Sequence, residues 1–536
     1  MHTLSRKGEG SVSRRESLYR GAAALALAGL IIKVSNLLVR VPLSRVLDAE
    51  GLGIYQMALP AFYALFHIAA GGVPVAVNNL VAEYTAKGRP RVAEQILHLA
   101  LAYAAVAGGT ASAVLLVGAP VLARLLGEPR AYWPLVAVAP AVVLFAADAV
   151  YRSYLQGRKL MSPSATGSVL EQATKIVVTL AAAGFLVRFG KDRAAGGAAL
   201  GITAGAVVSV LYMWWVYRQI RAEDAEDLSP KESRSLLARR MLKMAWPVTL
   251  GSVSLPLISL MDVGIVQRGF LKAAGPKLAT AMYGYYSGIA VQVVWFPVVL
   301  TNALGNALAP VLTQAAARDD WETVRDRVHL GLKATALLCL PCALGLALLA
   351  KPIVMLFGEP RAAVPLLYLS PVALLGPLTW VMTAQLHGLG VTAAPMRNMA
   401  VTMLIKVGLD ALLAPHPTLH VRGVAAASVI TFLINAGLNA RELERAIKEP
   451  LAWADLLKGP LVGSLVMAAA VVALLRGGIL PEMRWGTLAV CAVLAPVLYV
   501  TTMIGTGTVS RGELTAMGGP IGARLERWLH LLWPWS

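Results

Sequence analysis

Charge is scarce in this chain of 536 residues: Asp, Glu, Lys and Arg together make up 14%, against about 25% in a soluble domain. So few charges cannot cover a water-facing surface, which excludes an ordinary soluble globule. Cysteine is nearly missing as well. There are three, and Cys339 and Cys342 form a lone CxxC inside the apolar stretch LLCLPCALG. A structural zinc needs about four ligands and no second cluster exists, so the pair reads as small packing residues on a kinked helix. No P-loop is present to cradle ATP phosphates. A metal triad, a nucleophile elbow and paired catalytic carboxylates are likewise missing, so neither an enzyme nor a cofactor is expected. The apolar–polar alternation of membrane barrel strands is also absent.

What the chain has in abundance is apolar residues. They make up 57%, and the mean hydropathy is +0.66. Runs of about 20 apolar residues recur, each enough to cross a hydrocarbon core of about 30 Å. Backbone groups inside a membrane must be satisfied internally, so a helical bundle follows. Fourteen spans can be placed, with approximate bounds: α1 21–46, α2 53–81, α3 93–122, α4 132–155, α5 162–187, α6 196–219, α7 241–267, α8 280–314, α9 326–350, α10 363–387, α11 393–414, α12 422–444, α13 459–475 and α14 486–506. The run that begins near Gly21 contains Lys33 and Arg40 and has no small-residue cleavage site, so α1 is a transmembrane helix, not a removable signal. The tail GARLERWLHLLWPWS is amphipathic and Trp-rich, as suits a membrane interface.

Net charge is +19. Its location points to membrane lipids as the partner and away from nucleic acid. Lys and Arg gather in alternate loops, at about two to one in favour of the side holding the N-terminus. That ratio predicts a cytoplasmic membrane protein with both termini cytoplasmic, facing anionic headgroups. The basic loop QRGFLKAAGPKLAT runs against this orientation.

The chain repeats itself. GEPRAYWPLVAVAP begins at Gly127 and GEPRAAVPLLYLSP at Gly358, 231 positions apart, with eight of fourteen positions identical. The same step carries Tyr55 onto Tyr286, Leu155 and Gly157 onto Leu386 and Gly388, and Lys175 onto Lys406. Loops, helix breaks and an intramembrane lysine would hardly share one offset by chance. Each repeat holds six helices. An even number makes the halves parallel, related by an axis along the membrane normal, and such repeats mark transporters. The expected architecture is an all-α integral membrane protein of about 14 transmembrane helices: two parallel six-helix repeats around a central cavity, plus two C-terminal helices. The expected divisions are an N-terminal bundle over 1–220, a cytoplasmic linker over 221–240, a C-terminal bundle over 241–445, and α13, α14 and the tail over 446–536.

The stretch LVRVPLSRVLDAEGLGIYQMALPAFYALFHIAAGGVPVAVNNLVAEYTAKGR resembles the start of one branch of the multidrug/oligosaccharidyl-lipid/polysaccharide exporter superfamily, that of stage V sporulation protein B and polysaccharide-biosynthesis proteins. Arg40, LDAEGLGIYQMA, GGVPVAV and VAEYTAKG carry the resemblance, and PVTLGSVSLPLISLMDVGIVQR looks like that branch's seventh helix. The likeness covers α1 to α12 and, more loosely, all fourteen. It implies two bundles around a cavity that opens alternately to each side, and a lipid-linked sugar as cargo. In the peptidoglycan-precursor branch the cargo is lipid II, and basic residues of the first helix line the cavity. Arg40 matches such a position; Lys33 matches one less closely. That branch also links α13 and α14 to a groove for the lipid tail. The resemblance further implies a monomer that works beside cell-wall synthesis enzymes, in cell shape or sporulation. Spore-cortex, capsule and teichoic-type carriers share the scaffold.

Charges inside spans are expensive and usually face protein or water. Lys33 and Arg40 are seven apart and share one face of α1. Lys175 and Lys406 fall at equivalent depths in the two halves. Together these four cations could meet a pyrophosphate: Arg through its planar fork, Lys as a point charge. The alternative is local neutralisation, because Glu171–Lys175 and Lys406–Asp410 are i,i+4 pairs. Asp262 is a gate or coupling candidate, as a partner that Arg40 releases when cargo enters. Glu171 and Asp410 are candidates for the same role. So is Glu83, which could clamp a gate through a loop cation or simply end a solvated helix. Asn78, Asn79, Gln292, Asn302 and Asn306 are candidate polar lining for a sugar. A cation-coupled multidrug exporter is the main alternative function, but its cationic cargo would call for acids and aromatics where α1 offers Lys33 and Arg40. A membrane glycosyltransferase is a further alternative, and the short, acid-poor outward loops argue against it.

Overall fold

The computed structural model describes residues 5–223, 232–476 and 485–507. Among these there are helices and turns and no strand. Each of the fourteen apolar segments is helical. The tail after residue 507 and residues 224–231 of the linker lie outside the described residues.

Two junctions differ from the sequence-based bounds. Between α1 and α2 there is no loop. One helix runs Ser5–Ala70 and is broken only at Asp48, which takes φ 56° and ψ 179°; aspartate is among the few residues that tolerate a left-handed φ. Gly71 and Gly72 then interrupt the helix, and Val73–Ala86 completes α2. A Cβ on Gly72 would lie 2.0 Å from the Ala245 carbonyl of α7, so no side chain fits there. α8 is broken as well. It runs Pro276–Tyr283, widens into a π-helical turn over Gly284–Ala290, continues as Val291–Val294 and resumes as Val298–Ala316.

The other helices follow their apolar runs: α3 Pro90–Leu125, α4 Tyr132–Gly157, α5 Ser162–Leu186, α6 Lys191–Glu223 and α7 Arg234–Ala274. In the second half α9 is Trp321–Leu348, α10 is Ala363–Leu369 with Val372–Gly388, α11 is Ala393–Leu413, α12 His420–Ile447, α13 Trp453–Arg476 and α14 Trp485–Gly505. Among the described residues, nine helices are by themselves long and apolar enough to cross a membrane, or ten with the bent α10 pair. The shortfall from fourteen has physical causes. α1 and α2 are one continuous element over Val34–Ala86, and α14 qualifies only as a shorter apolar helix over Val493–Gly505. α8 is broken, and α11 carries Arg397, Lys406 and Asp410.

The outer faces confirm the solvent. On α3, Val106, Val114, Val117, Val121 and Leu125 are 56–82% exposed at helical spacing. Leaving each in water would forfeit about 1.5–3 kcal/mol, which a bilayer does not.

The chain forms two compact units. The first is Met1–Ile289 with Val407–Val424; a core within it joins α2, α3, α4, α6 and α7 through Val77, Leu80, Ile96, Leu155 and Met213. The second is Ala290–Lys406 with Ala425–Ser536. Leu312, Val328, Met382 and Leu443 centre it, and α13 and α14 attach to α9 through Leu337, Met467, Tyr499 and Met503. The first part of α8 thus packs with the first unit.

The 231-residue step is visible in the backbone. Gly127 and Gly358 take φ 79° and 78°. Each precedes a short 3-10 turn, Pro129–Ala131 and Pro360–Ala362. In the first copy Glu128 is buried. It binds Arg130 at 2.8 Å and accepts a hydrogen bond from Thr280 at the start of α8. Burial pushes its carboxyl upward, but Arg130 and Thr280 outweigh that and hold it below the usual value. Arg130 also reaches Glu50 at 2.6 Å, and Lys191 reaches Asp48 at 2.9 Å. The repeated motif therefore anchors helix ends. A second mark of the repeat is reciprocal. A Cβ on Gly53 would lie 2.2 Å from the Thr280 carbonyl, and one on Gly284 would lie 1.7 Å from the Ala49 carbonyl. Gly53 and Gly284 are repeat mates, as are Ala49 and Thr280. At these two glycines the chain entering α2 meets α8 with backbone against backbone.

Candidate functional site

α1 carries Asn36 and Arg40 one turn apart, which places them on one face. Arg40 is half-buried. Its Nη1 donates to the Gly288 carbonyl at 2.9 Å and its Nη2 to Gln56 Oε1 at 3.3 Å. Gln56 Nε2 donates in turn to the Ser287 carbonyl at 3.3 Å. Asn36 Oδ1 accepts from Gln172 Nε2 at 3.1 Å and from Lys175 Nζ at 3.4 Å, both on α5. Lys175 thus meets α1 one turn before Arg40, which brings two like charges to the same stretch of that helix.

A second charged group, Arg152 of α4, supports this face. Its guanidinium pairs with Asp148 one turn earlier and with Glu171 of α5 at 2.9 Å. It also donates to the Ser164 carbonyl at 2.8 Å, to Ser209 Oγ at 2.8 Å and to Ser168 Oγ. Ser209 closes the ring by donating to Asp148 at 2.6 Å. An arginine fork with five donors can satisfy this many acceptors at once. Glu171 thus forms its ion pair across the bundle with Arg152, and Lys175 turns to Asn36. The i,i+4 spacing within α5 does not describe that pairing. Three cations, Arg40, Arg152 and Lys175, are set among two carboxylates.

Sequence reasoning did not single out Arg152, although it falls within the α4 span 132–155. The signal that would have found it is the i,i+4 spacing of Asp148 and Arg152 inside the span.

The second unit carries a neutral counterpart. Thr379, Thr383 and Thr402 stand one repeat step from Asp148, Arg152 and Glu171. Asn398 Nδ2 donates to Asn439 at 2.9 Å, Asn439 Nδ2 donates to Thr383 at 3.2 Å, and Thr402 donates to the Asn398 carbonyl at 2.9 Å. Lys406 is 8% exposed on α11. The charge in the two repeats is therefore unequal.

The remaining candidates are more scattered. The Lys33 side chain lies outside the described residues. Asp262 on α7 is half-buried, and it is not an acceptor in the bonds that Arg40 makes to Gly288 and Gln56. Asp410 is fully buried. Glu83 pairs with the loop cation Lys87 at 2.6 Å and with Arg240 of α7 at 2.9 Å. Beside it the Tyr84 hydroxyl donates to Glu232 at 2.6 Å and Arg89 pairs with Glu232 at 2.7 Å. The tyrosine hydrogen bond, followed by Arg89, holds the Glu232 carboxyl below its usual range. Asn78, Gln292 and Asn302 are half-buried, while Asn79 and Asn306 are exposed.

A sequence model of the polysaccharide biosynthesis protein family matches residues 18–316, more than half of the chain. The MatE family model matches residues 286–412. Stage V sporulation protein B of Bacillus subtilis (strain 168) is 28% identical over 439 residues, covering 81% of this chain and 85% of the relative. The lipid II flippase MurJ of the same organism is 23% identical over 416 residues, covering 73% and 76%. Among solved structures, a lipid II flippase MurJ in an inward closed conformation superposes with a TM-score of 0.66 at 15% identity, covering 89% of this chain and 97% of that one. At that identity the superposition shows a shared fold.

Proposed function

The chain belongs to the polysaccharide biosynthesis protein family, within the multidrug/oligosaccharidyl-lipid/polysaccharide superfamily of transporters and flippases, and from that premise we propose that it flips a polyprenyl-pyrophosphate-linked sugar, lipid II foremost, across the cytoplasmic membrane by alternating access. The observation that carries this reading is the cationic face made by Arg40 of α1 and Lys175 of α5, backed by the Arg152 network. Two like charges held close inside a bundle lower their energy by admitting an anion between them. Attraction to a pyrophosphate is stronger there than in water, because the effective dielectric is lower. Arg40 would grip phosphate oxygens through its fork and Lys175 would add a point charge. Lys33 on the same face of α1 and Lys406 of α11 would extend the attraction along the path.

The acids then take opposing roles. Glu171 and Asp148 keep Arg152 fixed, so that Arg40 and Lys175 remain the cations to be neutralised. Glu83 with Arg240 would hold the end of α2 against α7 on the cytoplasmic side. Asp262 and Asp410 would serve as coupling groups, and the five amides Asn78, Asn79, Gln292, Asn302 and Asn306 as sugar contacts. The relatives' printed names, a lipid II flippase and a sporulation protein, support a lipid-linked cell-envelope precursor as cargo.

The test is translocation of a lipid-linked sugar in vesicles that contain the purified protein. Wild type should flip it, while Arg40→Ala should not, though it inserts and folds. A second reading, a multidrug exporter, draws on the MatE match over 286–412. It requires an acidic cavity, and drug accumulation in cells that express the protein separates the two.

A further inference from the structure

The two bonds made by Arg40 and Gln56 both end on the π-helical turn of α8. Arg40 holds the Gly288 carbonyl and Gln56 holds that of Ser287. This turn spans Gly284–Ala290, and the boundary between the two compact units falls at its end, between Ile289 and Ala290. Its start is fixed, because Gly284 is pressed against the Ala49 backbone and Gly288 against Leu52. Its far end leads into the short Val291–Val294 segment and a further break at 295–297. A π turn spreads its backbone hydrogen bonds over a wider ring and recurs at functional sites. The least regular stretch of α8 is therefore where the chain leaves one unit for the other, and the cation assigned to cargo is bonded to it.

We propose that Arg40 is a cargo-released latch: it pins the joint in α8 through Gly288, and a pyrophosphate that takes up its guanidinium frees that joint. This inference rests on the flippase reading above and adds the link between binding and movement. Phosphate oxygens are stronger acceptors for a guanidinium than a peptide carbonyl, so the exchange of partners runs toward the anion. Gln56 then remains as the weaker, neutral hold on Ser287 and re-forms the pinned state once the cargo leaves. A neutral or cationic ligand has nothing with which to displace the carbonyl, so the latch also selects for anions. This explains why a transporter would place its principal cation where a backbone carbonyl and a neutral amide, and not a carboxylate, await it: a carboxylate partner would compete with the cargo too well.

Hydrogen exchange of the peptide covering 284–297, measured by mass spectrometry on the full chain in lipid nanodiscs, reads the latch directly. Farnesyl pyrophosphate serves as the probe and farnesol as its neutral control. In wild type, farnesyl pyrophosphate should speed exchange of this peptide by about tenfold, the effect of losing one charge-assisted hydrogen bond, and farnesol should not. Arg40→Gln should exchange fast from the start and not respond. Gln56→Leu should exchange faster than wild type yet still respond, because Arg40 remains. If farnesyl pyrophosphate binds in an Arg40-dependent way while exchange over 284–297 stays unchanged, the latch is wrong and the cargo site stands. If it does not bind wild type at all, the cargo reading falls and the latch with it.

Discussion

Replacing Arg152 by threonine, the residue at the equivalent position of the second repeat, takes away one guanidinium and leaves Asp148 and Glu171 without it. The side chains of Asp148, Arg152 and Glu171 are 5%, 16% and 22% exposed, so water can compensate little. Breaking a buried ion pair by deleting one partner costs about 3–5 kcal/mol. Glu171 is the most exposed of the three, which favours the lower part of that range, about 3 kcal/mol. At about 2 °C per kcal/mol for a large domain, the melting temperature should fall by about 6 °C. The second half of the test is the triple substitution Asp148→Thr, Arg152→Thr, Glu171→Thr, which copies Thr379, Thr383 and Thr402. Removing a whole buried ionic cluster is often neutral, so the triple variant should recover to within about 1 kcal/mol of wild type. Fluorescence-detected melting in detergent reads both variants. The reasoning is refuted if Arg152→Thr melts with wild type, or if the triple variant is no more stable than the single one.

Three further outcomes are expected. Gly284→Ala should fail to give a stably folded protein, because its Cβ would lie 1.7 Å from the Ala49 carbonyl, whereas Gly109→Ala, with nothing within 4 Å, should be neutral or gain up to about 1 kcal/mol; size-exclusion profiles of the two variants check this. Glu128 has a folded pKa below its usual 4.5, so its stabilisation is present above that value and is lost as pH falls through the lowered one. Melting temperature should therefore drop more steeply in acid for wild type than for Glu128→Gln. The Glu83–Arg240 pair is partly exposed, at 33% and 39%, so the charge-reversed double variant should melt within about 1 kcal/mol of wild type, and each single reversal should show a salt-dependent loss.

Much of the fold is legible in the sequence because a bilayer demands it. Fourteen apolar runs announce fourteen helical segments, and the 231-residue step predicts matched glycines at 127 and 358 that the backbone confirms. Where the reading fell short, long-range packing decided the outcome. The π turn of α8 begins where Gly284 meets the Ala49 backbone, a contact that no local pattern records. Proximity along α5 suggested Glu171 with Lys175, but Arg152 arrives from α4 with more donors than a lysine can offer. Arg40 was identifiable as a charge misplaced in a span. Its partners, the Gly288 carbonyl 248 positions away and the Gln56 amide about four turns on, were not, because a backbone carbonyl carries no sequence signature.

The central claim is that Arg40 meets an anionic lipid-linked cargo. Its most direct test is the rate at which lipid II crosses the bilayer of vesicles reconstituted with wild type or Arg40→Ala, at equal and correctly folded protein. Translocation by wild type, lost in Arg40→Ala and largely retained in Gly109→Ala on α3, where a Cβ meets nothing within 4 Å, is the expected result. Equal rates for wild type and Arg40→Ala, or no translocation of any lipid-linked sugar by wild type, would contradict it.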